Sequence, residues 1–261
     1  MLDYYQRGGE ANRLSDGAGR LEYLRTWDLL DRELPAPPAT VLDVGGAMGA
    51  YAGPLAAAGY AVHVVDPVPS HVAAAAALPG VTAEVGDARA LDRPDASADA
   101  VLLLGPLYHL TERADRVLAW REAARVVRPD GVVLAATISR FASMLDAFVK
   151  GYGPDDEFVP IMRHDLATGQ HRNPNAEPRW FTTSYFHRPE EIPGELAEAG
   201  LCLDRMALIE GPLWMIESLP GYLVDPARTG YLLEMLRAVE SEPSLFGAGS
   251  HLMTIARRPK G

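Results

Sequence analysis

From residue 41 onward, short apolar runs alternate with segments of helical spacing. The apolar runs cover residues 41–44, 61–65, 81–85, 98–104 and 132–137. They are almost continuous rather than alternating, which predicts strands buried on both faces. Helices are predicted between them over 50–58, 70–78 and 113–127, with Gly59 and Pro129-Asp130-Gly131 as breaks. Strands that alternate with helices predict an α/β fold, a mostly parallel central sheet with helices on both faces. Crossovers in such sheets are right-handed, so the C-terminal ends of the strands share one edge, and ligands bind there.

The flanks follow other rhythms. Leu21, Leu24, Leu29, Leu30 and Leu34 recur at roughly helical spacing before Pro35-Ala36-Pro37-Pro38 stops the run. Beyond residue 138 one helix is expected over 141–150, followed by a polar, aromatic stretch. Sheet rhythm returns with a helix over 189–199 and strands over 201–209 and 251–256. Four segments result: a helical lid segment (1–38), a core (39–138), a lid or substrate insertion (139–187), and a C-terminal return to the sheet (188–261). The last contains a second insertion at 211–246.

The expected ligand edge is rich in chemistry. Gly45-Gly46-Ala47-Met48-Gly49 follows the first strand, and such a turn brings backbone N–H groups close to a ligand. Asp66-Pro67 ends the second strand, at about the spacing where an acid accepts hydrogen bonds from ribose hydroxyls. Asp87-Ala88 ends the third, where a carboxylate can meet an adenine amino group. Either acid would also serve as a helix cap or turn residue. A nicotinamide-type fingerprint would need glycines where Ala47 and Ala50 stand, and it has no use for Asp87.

Residues 41–137 resemble the core of the class I S-adenosylmethionine-dependent methyltransferases. The resemblance rests on Leu42 to Gly49, Val65-Asp66-Pro67, Gly86-Asp87-Ala88, residues 99–110 and Val127 to Val132, somewhat over a third of the chain. It implies a Rossmann-like methyltransferase fold with S-adenosylmethionine as cofactor and S-adenosylhomocysteine as product. It also implies a small organic acceptor, in bacterial secondary metabolism. By the same resemblance, Gly45, Gly46, Ala47 and Gly49 would border the methionine part, and Asp66 and Pro67 the ribose. Asp87 and Ala88 would border the adenine, and Leu104 and Gly105 the methionine amino group. Tyr4, Tyr5 and Arg20 would close over the carboxylate. Ala47 replaces the middle glycine of the family's loop. That departure keeps a second reading open, in which the same fold performs a non-methylating displacement or ring closure.

Methyl transfer from a sulfonium needs alignment more than acid–base work. His109 is the candidate base, and Tyr108 could orient the acceptor or pack against the cation; both could equally be packing residues at the strand end. His164, His171, Arg172, Tyr185 and Trp214 are candidates to reach the acceptor from the insertions, or else to build the insertions themselves. No metal set is assigned.

Composition narrows the field. The formal net charge is −11, and Lys150 and Lys260 are the only lysines, so no footprint for nucleic acid is evident. Apolar residues make up 48%, but no run is long enough to span a membrane. Cys202 is the single cysteine, which excludes a disulfide framework within the chain. The polar, aromatic start does not read as a secretion leader, and a cytoplasmic setting is expected. Nothing in the sequence fixes an oligomeric state.

Overall fold

The computed structural model describes residues 14–177 and 179–260. The predicted α/β sheet is present, and its strands are β1 (Thr40–Val44), β2 (Ala61–Asp66), β3 (Val81–Val85), β4 (Ala98–Leu103), β5 (Val127–Ser139), β6 (Gln170–His171), β7 (Ser184–His187), β8 (Cys202–Leu208) and β9 (His251–Arg257). β3, β2, β1, β4 and β5 lie side by side and parallel. β9 then pairs antiparallel with both β5 and β8.

The inner strands β1, β4 and β5 are largely apolar along their paired stretches because both faces are covered. On one face Leu42, Val44, Val101, Leu103, Val133 and Ala135 pack with Trp120 and Ala123 of α5 (Arg113–Val126) and with Leu196 of α8 (Ile192–Ala199). On the other, Val41, Ala100, Leu102, Val132 and Leu134 pack with Leu29 and Leu30 of α1 (Gly17–Glu33), Leu55 of α2 (Ala52–Ala57) and Ala75 of α3 (Pro69–Ala76). Consecutive residues of one strand thus feed opposite layers, as the two-residue period of a strand requires.

Charge fastens α1 to the far end of the sheet. The buried Arg25 guanidinium donates to the carbonyls of Leu208 and Ile209 and to Glu240 of the residues that follow α9 (Pro226–Val239), and it pairs with Asp28. Burial opposes charge on Glu240, yet hydrogen bonds from Arg32 and Arg25 hold it down at about 2.

Two expectations change. The turn expected at Pro129-Asp130-Gly131 is an irregularity inside β5, which starts at Val127. Asp130 sits there at φ 68° and its N–H donates to the Arg258 carbonyl, so the ladder continues past the proline. The polar stretch beyond the helix α6 (Ala142–Val149) is also not irregular. It contains α7 (Phe158–Thr168) and the β6–β7 hairpin. Only Phe158 and Asp165 of α7 are buried, so its apolar signal is faint; Pro160 is tolerated in the first turn, where its missing N–H has no helical partner.

β5 outruns β4. Its last rung with β4 is Ala135 against Leu103, and beyond it Ile138 and Ser139 pair with Phe186 and His187 of β7. On the opposite edge Ile138 still faces His251 of β9. Residues 140–183 therefore leave and rejoin the sheet at one strand tip, above the ligand edge.

Candidate functional site

A cleft of about 490 Å³ lies along the C-terminal ends of β1–β4. The loop after β1 forms its floor. Gly45 has φ 73°, and a Cβ there would come within 2.8 Å of the Pro106 ring. A Cβ on Gly46 would lie 2.5 Å from an Asp43 carboxylate oxygen. The turn is thus pressed between a proline on one side and a buried acid on the other, which is why glycine stands at both positions.

Ala47 has φ 47°, in the left-handed region that disfavours a side chain bearing Cβ. That conformation aims its N–H at Asp66 Oδ2, 3.0 Å away. Asp66 Oδ1 accepts from the Val68 N–H at 2.9 Å and faces His71 Nδ1 at 3.2 Å. A carboxylate offers about four lone-pair positions, and three are engaged here. The acid is fixed at the cleft wall with acceptor capacity left for a hydroxyl.

Asp43 is only 1% exposed, and neither of its oxygens has a hydrogen-bond partner among the described residues. Burial, with the nearby Asp66 adding repulsion, pushes its carboxyl up to about 7. A buried polar group without a partner is costly, and it marks a place where a cationic or donor-bearing ligand would be stabilised.

Asp87 lies farther along the cleft. Arg89 holds it in a bidentate ion pair and also reaches Asp115. Hydrogen bonds from the Arg89 side chain come first in holding the Asp87 carboxyl below its usual range. At the opposite end, α4 (Pro106–His109) is a single turn that presents Tyr108 and His109. The Tyr108 hydroxyl donates to the Leu104 carbonyl at 3.2 Å. The rings of Tyr108 and His109 are 4.7 Å apart, and Phe181 lies 5.9 Å from His109.

Residues 41–131 match the family model described as "Methyltransferase domain". Over those residues the chain is similar to a methyltransferase domain. An uncharacterized methyltransferase of Mycobacterium tuberculosis is 36% identical over 105 residues, covering 40% of this chain and 42% of that protein. The ubiquinone biosynthesis O-methyltransferase of Methylocella silvestris is 33% identical over 137 residues, 48% of this chain and 52% of that one. The matches thus span about half the length of these relatives. Among solved structures, the [4+2]-cyclase SpnF superposes with a TM-score of 0.57 at 19% identity, over 92% of this chain and 81% of that one, a likeness of fold.

S-adenosylmethionine is the cofactor of this domain family. The residues of the methyltransferase domain fit it in kind: a wall acid able to accept from ribose, a floor built of backbone, and an unpartnered buried carboxylate close to where a cation would lie.

The cleft brings together most of the residues that sequence singled out. Gly45, Gly46, Ala47, Gly49, Asp66, Pro67, Asp87, Ala88, Leu104, Gly105, Tyr108 and His109 all line it. Arg20 does not; it stacks on Tyr23, whose ring in turn stacks on the cleft residue Tyr51. Tyr4 and Tyr5 lie outside the described residues.

None of the five acceptor candidates lines the cleft. His164 is exposed on α7. His171 is buried, with Nδ1 facing Asp165 at 2.8 Å and Nε2 facing the Phe181 carbonyl at 3.1 Å. Arg172 donates to the His171 carbonyl and to Gln170. Tyr185 lies under the Arg116 guanidinium and is bonded to Glu191. Trp214 donates to the Ala248 carbonyl. His171, Arg172, Tyr185 and Trp214 are thus held by contacts within the protein.

Sequence reading passed over Asp43, His71, Tyr51 and Arg89 as site residues, although all line the cleft. Asp43 stood inside the quoted motif. Its signal was an acid within an otherwise apolar strand, which a fully buried position rarely tolerates.

Proposed function

We propose that this protein transfers the methyl group of S-adenosylmethionine to a small organic acceptor, releasing S-adenosylhomocysteine. The observation that carries the reading is the convergence of Asp66, the Gly45–Gly49 loop and the Tyr108–His109 pair on one cleft. The bound cofactor would supply an electrophilic methyl group on a sulfonium whose departure as a neutral thioether needs no acid.

The chain's own part is to hold and exclude. Asp66 accepts from the ribose hydroxyls, and Asp87 with Ala88 borders the base. Gly45 and Gly105 let the backbone approach the methionine part closely. Tyr108 and His109 mark the acceptor end. His109 removes a proton where the nucleophile carries one, and Tyr108 presents an aromatic face to a cation. Residues 140–183 roof this end through Phe181, whose ring lies beside both. We place the role in bacterial secondary metabolism, with a cytoplasmic setting.

The test is calorimetric titration with S-adenosylmethionine, followed by an S-adenosylhomocysteine assay over a panel of phenols, amines and carboxylic acids. Asp66→Ala is expected to weaken cofactor binding by one to two orders of magnitude, the scale of about 1.5–3 kcal/mol for hydrogen bonds to a charged group. Unchanged affinity in that variant would sink the reading. Product formed without consumption of the cofactor would point to the non-methylating alternative.

A further inference from the structure

Three ligating side chains meet away from the cofactor loop. Glu22 of α1, Glu210 just after β8 and His251 at the start of β9 each offer one ligand atom, and these atoms lie within 4.8 Å of one another. His251 Nδ1 is 2.6 Å from Glu210 Oε1 and 3.9 Å from Glu22 Oε2. Glu210 is 2% exposed, and its other oxygen accepts from the His251 backbone N–H at 3.1 Å.

We propose that this trio is a binding site for a divalent transition-metal ion. Imidazole nitrogen with two carboxylate oxygens is a donor set suited to zinc, manganese or iron(II). A proton relay needs one carboxylate to orient its imidazole. Here a second carboxylate, that of Glu22, is turned toward the same ring nitrogen, so three donor atoms share one focus. In a tetrahedral site with ligand bonds near 2.1 Å, neighbouring ligand atoms are about 3.4 Å apart. The two distances from Nδ1 bracket that value, so small side-chain rotations suffice to close the site.

Arg25, one turn along α1 from Glu22, directs its guanidinium to Leu208, Ile209 and Glu240. The backbone on either side is firm. β8 and β9 are paired through Leu208 and Leu252, next to the two ligands they carry. Three protein ligands leave positions open for water or substrate, the pattern of reactive rather than purely structural metal centres. The His251 ring is 6.4 Å from that of Tyr108, so the ion would lie beside the acceptor end of the cleft.

The experiment is calorimetric titration of chelator-treated full-length protein with zinc chloride and, separately, manganese chloride, with neither cofactor nor acceptor present. One equivalent of ion is expected to bind wild type and the control His63→Asn, whose side chain faces Thr82 and Glu84 on β3. Affinity is expected to fall at least tenfold in His251→Asn and in Glu210→Gln. Glu22→Gln, at a less enclosed position, is expected to fall similarly and guards against a folding defect, with thermal melting as the check. No binding by wild type, or full affinity retained in Glu22→Gln and His251→Asn, overturns the site. A protein that binds the ion but transfers no methyl group sinks only the proposed function.

Discussion

Two interior sites treat buried carboxyl groups in opposite ways. Beneath the roof, between α5 and α8, Glu195 is 1% exposed and fully engaged. Arg116 donates to it at 2.8 Å, Trp120 Nε1 at 3.3 Å, and His187 stands 3.6 Å away. Beneath the cofactor loop, Asp43 is just as enclosed and has no hydrogen-bond partner among the described residues. Paired charge holds segments together, whereas the lone Asp43 carboxyl keeps its proton up to about pH 7. One protein thus contains an ionic rivet and a lone buried acid.

The sharpest way to break this contrast is to remove one partner of the rivet. Glu195→Ala strands the Arg116 guanidinium in the interior and is expected to destabilise the fold by about 3–5 kcal/mol. Chemical denaturation measures it, and a loss under about 1 kcal/mol would show that the pairing is not what fastens α8.

The lone acid makes a pH prediction. In the unfolded chain Asp43 ionises near 3.8, and in the folded one at about 7. Between those values the unfolded state gives up a proton that the native state keeps. The contribution of this group to stability is therefore complete below pH 4 and declines by about 1.4 kcal/mol per pH unit as pH rises toward 7. Asp43→Asn is expected to flatten that slope in urea melts taken at successive pH values; an unchanged slope would mean that Asp43 is charged when buried.

Smaller effects separate strain from surface charge. Ala47→Gly removes a Cβ from a left-handed position and is expected to stabilise the loop by up to about 1 kcal/mol, seen as a raised melting temperature. A fall instead would mean that the alanine methyl packs usefully. Arg113→Ala breaks a solvent-screened pair with Glu198 and is expected to leave the melting temperature nearly unchanged.

The sheet was readable because its strands must be apolar on both faces, and that leaves a pattern in Val41 to Val44 and in residues 98–104 that little else produces. Asp66 and Asp87 were readable for the same reason, since each ends such a run. The acceptor side was not. His171, Tyr185 and Trp214 each pair an apolar body with a polar tip, and sequence does not distinguish a tip aimed at a substrate from one tied to a backbone carbonyl. His251 and Glu210 meet only because β8 and β9 pair antiparallel, and no local pattern announces an encounter set by long-range register.

One consequence follows from the overhang of β5. The long excursion over the cleft joins the sheet through two rungs, Ile138 with Phe186 and Ser139 with His187, both beyond the reach of β4. β1 to β4, whose ends line the cleft, share no rung with β7. Such an excursion behaves as an exchangeable cassette: its length and lining can drift while the cleft beside it stays as it is.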